Sequence, residues 1–292
     1  MNFIKRKISK KISLLLIIPL LFIGGIYAFN LKIVLLFIFL IPIIILYISF
    51  RNSNSINKLT DAIITTVKKN NYELINIDIG ESSKLKIYGI IPINTKVYHL
   101  KGIGVLSIMK VNLGLMQMLT LSVNPFEKDL PQLSLDIMCI FQKIILISYF
   151  YALMLDKENN EYKYFLNQME KINETYANVE NFPAKKEWHT ELISSMITKK
   201  IGVNQEKIVN DIIIEVMKIY VDYWNKIKGL NVSEVIKKIE IIEEFGNNLV
   251  DKGGYSTNFF KKMFGVDTTR KFLGDVIFGY YAFKKIDINK KN

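Results

Sequence analysis

The sequence contains few of the residues that build disulfide frameworks and metal centres. Among its 292 residues there is a single cysteine, Cys139, which excludes an intramolecular disulfide framework, a cysteine-ligated zinc site and a CxxC redox pair. Its two histidines, His99 and His189, are too few for a histidine-rich metal centre. The sequence also has no P-loop, no GxGxxG loop and no GxSxG motif. These absences argue against a metal site built from cysteine or histidine, a glycine-rich nucleotide-binding loop and a serine hydrolase.

Charge is missing from two long stretches near the N-terminus. Residues 12–29 and 33–50 each run for 18 residues without a charged side chain. As helices they would measure about 27 Å, close to the thickness of the hydrocarbon core of a bilayer. We therefore predict a membrane hairpin with a turn at residues 30–32, in preference to a cleaved signal peptide followed by one span. Basic residues flank both spans, which predicts a multi-pass membrane protein whose soluble domain faces the cytoplasm.

The net charge of +12 is concentrated in the predicted anchor, residues 1–51. This segment carries seven of the 39 basic residues and none of the 27 acidic ones, which leaves 32 basic against 27 acidic residues in residues 52–292. The remaining excess is small and includes no arginine-rich stripe, so nucleic acid is excluded as a partner. A mild basic bias suits an anionic membrane surface or an acidic protein partner.

Residues 52–292 predict one soluble domain of mixed structure. An amphipathic helix at 53–70 precedes six short β-rich segments about ten residues apart, which favours an antiparallel meander over βαβ units. Helical patterns return after Asp156. This order predicts an α+β fold, with a central antiparallel β-sheet flanked by helices in an α/β/α sandwich. The predicted strands are 85–92, 96–100, 104–111, 116–123, 133–140 and 143–151, and the later helices are 160–177, 205–227 (capped by Asn204), 233–246, 257–264 and 268–278.

The segment Glu187–Glu191 places a histidine between two glutamates. Its spacing differs from the HExxH motif, in which two histidines one helical turn apart bind zinc. A third ligand is not apparent in the sequence, so we interpret this segment as the solvent-facing start of a helix.

Asp136 stands out because it is the one charged residue in the otherwise apolar strand predicted at 133–140. Strand alternation places Asp136 on one face with Ser134 and Met138, and the aliphatic residues between them on the other. If helices cover that face, the carboxylate loses solvation and its pKa rises, which suits a proton donor. An aspartate on an edge strand or a wet face is the alternative that the pattern leaves open.

Three segments, taken in chain order, resemble the ferredoxin-dependent bilin reductases. Asn124–Ile137 resembles a strand ending in proline that leads into the family's DLP-x-x-x-x-D-[IL] strand. Phe182–Ser194 resembles the family's Pro/Trp loop entering a helix, and Ser256–Phe278 resembles its closing segment around an FG pair. The three segments lie within residues 55–280, and the resemblance implies the family's antiparallel sheet between helical layers.

The resemblance implies an oxidoreductase that acts on CH–CH groups of a linear tetrapyrrole, or bilin. In this family the electrons come from an external acidic donor, reduced ferredoxin or flavodoxin, and no cofactor is bound tightly. By position, Asp136 matches the pocket aspartate that donates a proton to the substrate. The family's second carboxylate aligns with Gly254, so Asp251, three residues earlier, is the candidate for that role.

The sequence departs from the family at positions that bear on the chemistry. Some members have a histidine where this chain has Thr120, and a His-x-Glu pair where it has Leu106–Ile108. We therefore predict a membrane-anchored reductase of a linear tetrapyrrole, with ferredoxin as electron source and Asp136 as proton donor. Two alternatives stay open: a non-catalytic membrane-tethered domain of the same fold that binds a tetrapyrrole or a protein, and an unrelated α+β scaffold.

Overall fold

A computed structural model describes residues 31–70 and 72–289 of the chain. The chain divides into two compact units between Ile48 and Ser49, whereas the boundary predicted from the sequence falls after residue 51. The predicted first membrane span, residues 12–29, lies outside the described residues. Within the described part of the chain, no helix combines the length and the apolar character needed to cross a bilayer.

The first described helix, α1, spans Leu31–Lys69 without interruption. The sequence predicts a span at 33–50 and a separate amphipathic helix at 53–70, and the structure joins both into this one helix. The amphipathic pattern of its C-terminal half is confirmed, because Ile56, Leu59 and Ile63 are buried there. The uncharged stretch and the amphipathic stretch are each compatible with a helix, and no glycine or proline separates them.

Among the described residues of the second unit, eight strands form one sheet. They are β1 Leu74–Asn76, β2 Lys86–Ile87, β3 Ile91–Leu100, β4 Gly104–Asn112, β5 Met116–Asn124, β6 Gln132–Ile140, β7 Lys143–Tyr151 and β8 Ile193–Gly202. Their order in the sheet is β1-β3-β4-β5-β6-β7-β8, and β2 pairs with β3. Every one of these pairings is antiparallel, which confirms the predicted meander over β3–β7.

The predicted sheet differs from the observed one at four places. The predicted strand 85–92 is split, because β2 ends at Ile87 and β3 begins only at Ile91. The break predicted at residues 94–95 lies inside β3, where both residues pair with β4. The short edge strand β1 was not predicted. The helix entry implied at 192–194 is wrong, because a short 3₁₀ turn at Trp188–Leu192 leads directly into strand β8.

Six further helices follow among the described residues of the second unit. The first five agree with the predicted order, and the sixth was not predicted. The six helices are α2 Asn160–Thr175, α3 Glu206–Lys226, α4 Val232–Lys252, α5 Tyr255–Phe264, α6 Val266–Phe272 and α7 Tyr280–Asn289, with a π-helical turn at Leu273–Ile277 between the last two. Asn231 caps α4 in a capping box with Glu234. The predicted cap Asn204 is wrong, because it lies in a 3₁₀ turn and Gln205 precedes α3.

The two faces of the sheet are covered by different helices. One face, here called the closed face, carries Leu119, Leu135 and Leu146 and packs against α1, α2 and α3. The opposite face, here called the open face, packs against α4–α7 through residues such as Val105 and Met109. Helices on both faces of an antiparallel sheet confirm the predicted α+β class.

Candidate functional site

The open face is incompletely covered over strands β5–β8. Along β6 and β7 the residues of the closed face are buried, whereas those of the open face alternate with them as half-buried positions. Met196 on β8 is 43% exposed. The half-buried open-face residues of these strands include Met118, Ser134, Asp136, Met138, Ile145, Ile147 and Tyr149. They form a mostly apolar floor with one carboxylate at its centre, and we call this surface the groove.

The strand register brings Asp136 to the middle of the groove. Thr120 on β5 and Ile147 on β7 lie directly opposite it, and Thr198 on β8 pairs with Ile147. Strand β6 is an interior strand of the sheet, so Asp136 is not on an edge. The alternation predicted for Ser134, Asp136 and Met138 is also the one observed.

Two hydroxyl groups hold the Asp136 carboxylate. Thr120 donates a hydrogen bond from Oγ1 to Oδ1 over 2.5 Å, and Ser134 donates a second one. Burial raises the pKa of Asp136, and the two hydrogen bonds oppose that rise because they favour the ionised form. The net direction is upward, so this carboxyl group keeps its proton to higher pH than an ordinary aspartic acid and can serve as a proton donor.

Two tyrosines extend the polar region of the open face along β7. Tyr149 and Tyr151 lie two residues apart on the same face, with their rings edge to face at 6.0 Å. Burial raises the pKa of both phenols, and the negative charge of Asp136 raises it further. Both hydroxyl groups therefore stay protonated at neutral pH. Neither tyrosine was among the site residues predicted from the sequence.

The turn at Trp188–Leu192 places His189 against this tyrosine pair. His189 is 9% exposed, so the prediction that this segment faces solvent is wrong. Its Nε2 lies 2.8 Å from a carboxylate oxygen of Glu187, and its Nδ1 lies 3.4 Å from the Tyr151 hydroxyl. Trp188 fixes the turn by donating from Nε1 to the Gly253 carbonyl over 2.6 Å. Across the described residues, no group of three acidic, histidine or cysteine side chains could hold a metal ion.

Asp251 has a partner of its own in the structure. Asp251 is exposed in the last turn of α4, where its carboxylate accepts a 2.6 Å hydrogen bond from Arg270. Gly254, the residue that aligns with the family's second carboxylate, precedes α5 and is buried. The catalytic role of Asp251 stays a prediction, and its ion pair gives the carboxylate a structural partner.

The aspartate of the DLP motif stabilises the loop that precedes β6. Asp129 accepts hydrogen bonds of 2.8 Å from the backbone N–H groups of Leu155 and Asp156. It also pairs at 3.1 Å with Lys238, whose ammonium group donates to the Leu130 carbonyl as well. Burial lowers the pKa of Lys238 to about 8, although Asp129 opposes that shift. These contacts tie the β5–β6 loop to α4 and so position the strand that carries Asp136.

The other end of the open face is closed by the π-helical turn. Ser122 and Asn124 on β5 donate hydrogen bonds to the Ile277 carbonyl, the latter over 2.9 Å. Gly274 is required in this turn, because a Cβ atom there would lie 2.4 Å from the Tyr281 ring. Ser122 and Asn124 of β5 are therefore occupied by the π-helical turn. The part of β5 that contributes to the groove is the preceding part, with Met118 and Thr120.

A second concave surface lies beside α6 and α7 and has a volume of about 460 Å³. Its basic residues already have acidic partners. Lys271 binds the buried Asp275, Lys285 lies 3.9 Å from the same carboxylate, and Arg270 pairs with Asp251. These ion pairs already occupy the basic residues of this surface, so we place the candidate site at the groove.

Sequence comparisons do not connect this chain to a known group, since no protein-family profile and no curated protein matches it. Its structure, in contrast, matches that of phytochromobilin synthase from tomato, solved in complex with biliverdin. The TM-score is 0.62 at 14% sequence identity, over 76% of this chain and 83% of that chain. The two proteins share a fold. Phytochromobilin synthase is a ferredoxin-dependent bilin reductase, so this match agrees with the resemblance seen in the sequence at the level of the fold.

Proposed function

We propose that this protein reduces a linear tetrapyrrole with electrons from a ferredoxin-type or flavodoxin-type donor, and that Asp136 donates a proton to the pigment. The observation that carries the proposal is the position of Asp136. A carboxyl group with a raised pKa lies at the centre of an apolar groove, on the sheet face that packs against the C-terminal helices. The shared fold with a biliverdin-bound enzyme supports the same choice of ligand.

The groove suits a flat, largely apolar pigment. Its floor presents methionine and isoleucine side chains, which adapt to an irregular planar surface, together with the Tyr149 ring. Apolar walls with a few converging polar groups are typical of small-molecule sites. Asp136 supplies a hydrogen bond donor when protonated, and pyrrole and lactam groups of a bilin offer it partners.

The position of Thr120 connects the sequence resemblance with the geometry. Some members of the resembled family have a histidine at this position, and here the Thr120 hydroxyl donates a hydrogen bond to Asp136. A neutral hydroxyl replaces a titratable ring as the immediate neighbour of the proton donor. We infer that proton transfer in this protein depends on Asp136 itself and not on an adjacent histidine.

The experiment that tests the function is anaerobic reduction of biliverdin. The purified chain, in detergent if it requires one, is mixed with biliverdin, reduced ferredoxin and a system that regenerates the reductant. We expect the long-wavelength absorption of biliverdin to disappear as products with a shorter conjugated system form. Reactions without the protein or without ferredoxin are the controls. An unchanged pigment spectrum with flavodoxin as well as ferredoxin would reject the reductase.

A pigment-binding role without turnover is the second candidate. The residues at 106–108, where the resembled family has a His-x-Glu pair, include no ionisable group, and Ser107 there is buried. Stoichiometric binding of biliverdin in the groove without reduction would favour this role. In that case Asp136→Asn would alter the absorption spectrum of the bound pigment, and there would be no reduction rate for it to change.

We also propose that residues 12–50 attach the protein to a membrane, as the two uncharged runs indicate. The apolar side chains of Ile43, Ile44 and Leu46 are more than half exposed on α1, which supports this proposal. Carbonate extraction of membranes from cells that express the full chain tests it. Release of the protein into the supernatant would contradict it.

A further inference from the structure

Two exposed aromatic residues lie in turns between strands of the sheet. Tyr88, in the turn between β2 and β3, has a φ of 54°, and Phe141, in the turn between β6 and β7, has a φ of 51°. Among the residues that the structure describes, glycine is the only other residue type with a positive φ. A bulky side chain is unfavourable in this conformation, and glycine or asparagine would suit both turns better. Both rings are more than half exposed, so packing in the core does not explain their presence.

Both turns lie at the same end of the sheet. The strand register places the start of β3 opposite the end of β4, and the start of β5 opposite the end of β6. Because antiparallel strands turn back at alternate ends, the β2–β3, β4–β5 and β6–β7 turns share one end. The backbone N–H of Phe141 donates to the Leu115 carbonyl over 3.1 Å, which joins two of these turns directly. We call this end, with residues 88–90, 113–115 and 141–142, the turn end of the sheet.

The turn end presents a row of apolar side chains to solvent. Ile90 is 79% exposed, and Leu113 and Leu115 are half-buried between the two aromatic residues. Strands β3 and β6 are three strand spacings apart in the sheet, so the row extends over about 14 Å. Single exposed apolar residues are ordinary on protein surfaces, but a row of them with a polar rim is typical of an interaction site.

Basic residues accompany this apolar row. Lys86 precedes the β2–β3 turn, Lys143 follows the β6–β7 turn, and both side chains are exposed. Glu180 is an acidic residue whose charge interacts with Lys143, and its carboxylate pairs with Lys200 at 2.8 Å. Exposed aromatic and aliphatic side chains flanked by lysines suit a lipid surface, because the rings settle at head-group level and the ammonium groups attract anionic lipids.

The second unit of the chain begins at the turn end. Gln117, the second residue of β5, donates from Nε2 to the Ser49 carbonyl over 2.6 Å. Arg51 donates to the Phe141 carbonyl over 2.7 Å. Residues 12–50, which we propose to attach the protein to a membrane, therefore join the second unit at this end of the sheet. A bilayer that holds this stretch is connected to the folded domain at the place where the exposed rings lie.

We infer that the turn end of the sheet lies on the surface of a bilayer that contains anionic lipids. Tyr88, Ile90 and Phe141 reach into the interfacial layer, where an apolar ring or chain is buried and a tyrosine hydroxyl stays among the head groups. Lys86 and Lys143 extend their ammonium groups to lipid phosphates. This inference extends the proposed membrane attachment to the folded domain, and it requires neither a pigment nor reductase activity.

The test places an environment-sensitive fluorophore at the turn end. Ile90→Cys in the full chain is labelled with a thiol-reactive nitrobenzoxadiazole dye and reconstituted into vesicles of phosphatidylcholine and phosphatidylglycerol. Cys139 is buried and stays unlabelled, and the wild-type chain treated with the dye checks this. We expect nitroxides on the lipid head groups to quench most of the emission at position 90, and iodide dissolved in the water phase to quench little of it.

Val232→Cys is the matched control. Val232 is 68% exposed at the start of α4, and the neighbouring Leu230 donates its backbone N–H to the Glu127 carbonyl in the β5–β6 loop, at the opposite end of the sheet. A dye at position 232 should be quenched severalfold less by the lipid nitroxides and severalfold more by iodide. Phe141→Cys is a second label on the turn end, and its dye should behave like the dye at position 90.

Lipid composition tests the part of the lysines. In vesicles of phosphatidylcholine alone, we expect weaker quenching by the lipid nitroxides at position 90, because Lys86 and Lys143 then have no anionic lipid to attract. Quenching that is the same in both kinds of vesicle would overturn the preference for anionic lipids.

Three outcomes would overturn the membrane contact itself. Equal quenching by lipid at positions 90 and 232, or quenching at 90 without quenching at 141, would show that the turn end is not the side that meets the bilayer. A dye at position 90 that is shielded from both iodide and lipid nitroxides would show that a second copy of the chain covers the turn end. If the full chain does not float with the vesicles, the membrane attachment is rejected together with this inference. The result of the biliverdin assay affects neither.

Discussion

The closed and the open faces of the sheet use the same strands for different purposes. On the closed face, Leu133, Leu135 and Ile137 of β6 are all buried and join one continuous apolar cluster with α1, α2 and α3. On the open face, the residues between them include Asp136 and Met138, which are half-buried. Because strand alternation separates the two sets, an apolar core and a polar site coexist within nine residues of one strand.

The difference between the faces has an energetic reason. An ionisable carboxyl group on the closed face would lose its solvation without any partner, which costs several kcal/mol. On the open face, Asp136 keeps part of its exposure and receives the hydroxyl groups of Thr120 and Ser134. The uncovered part of that face is thus where a protein of this fold can carry a titratable group at low cost to stability.

The largest effect that we expect concerns chemistry on the open face. Asp136→Asn keeps the shape of the side chain and removes its proton, so biliverdin turnover should fall about 10²- to 10⁴-fold. Pigment binding should change less than tenfold, or about 1.4 kcal/mol. Steady-state kinetics and a binding titration measure both quantities. Asp211→Asn, an exposed substitution on α3, is the control. If Asp136→Asn turned over biliverdin at the wild-type rate, the open face would not carry the proposed proton donor.

The next effect concerns stability on the closed face. Leu135→Ala removes a side chain that is 1% exposed, so the free energy of unfolding should fall by about 2–5 kcal/mol. Met138→Ala, three residues later on the open face, should cost about 1 kcal/mol, because its side chain is half-buried. The Met138 variant should instead weaken biliverdin binding. Denaturant unfolding of both variants checks this pair, and equal losses of stability would contradict the comparison.

A pH effect should distinguish the helices of the open face. Burial lowers the pKa of Lys238 on α4 to about 8, against 10.5 for an ordinary lysine. Between these pH values the unfolded chain binds the extra proton, so the free energy of unfolding should rise with pH. The rise should reach about 3 kcal/mol relative to the Lys238→Met variant, which lacks this titration.

Unfolding measured from pH 7.5 to pH 10.5 in both proteins isolates the Lys238 contribution, since all other titrating groups are shared. At the upper end of this range Lys238 of the wild type is neutral, and its amine can still donate to the Leu130 carbonyl. The methionine of the Lys238→Met protein cannot replace that hydrogen bond, so this variant should be less stable than wild type there. A constant difference between the two proteins across the range would show that the lysine does not titrate there.

The smallest effect concerns the hydroxyl group beside the proton donor. Thr120→Val is nearly isosteric and removes the hydrogen bond that favours ionised Asp136, so the pKa of Asp136 should rise further. Activity that needs protonated Asp136 falls as pH rises through this pKa, so its alkaline limb should move to higher pH. The rate on the acidic plateau should change less than about threefold. An alkaline limb at the wild-type position would argue against Thr120 as a partner of Asp136.

Much of the fold could be predicted from the sequence because local patterns determine it. The strands at 104–112, 116–124, 132–140 and 143–151 lie within one residue of their predicted bounds, since alternation and short turns define each of them. Strand β8 could not be predicted in this way. Its sequence contains Ser194, Ser195, Lys199 and Lys200, and it becomes a strand only through pairing with β7. Lys199 is buried there with backbone carbonyl partners that only the folded chain supplies.

The candidate site was predicted in part. Asp136 could be identified because a charged residue in an apolar strand breaks a local pattern. Tyr151 and His189 could not, since 38 residues separate them and their contact depends on how the 3₁₀ turn meets β7. Alternation along β7 does place Tyr149 and Tyr151 on the face opposite Phe150, and this was a signal that the sequence contained.

Helix α4 fixes the distance between two of its contacts with the rest of the domain. Its Lys238 anchors the loop that leads into β6, and Gly253, just after its last residue, receives the Trp188 side chain beside His189. The 15 residues between these anchor points span about 22 Å of rigid helix. Helix α4 therefore fixes the distance between the β5–β6 loop and the turn at Trp188–Leu192. Under the proposed function, a pigment on the open face would have to adapt to this distance by bending or by shifting along the floor, because the helix cannot stretch.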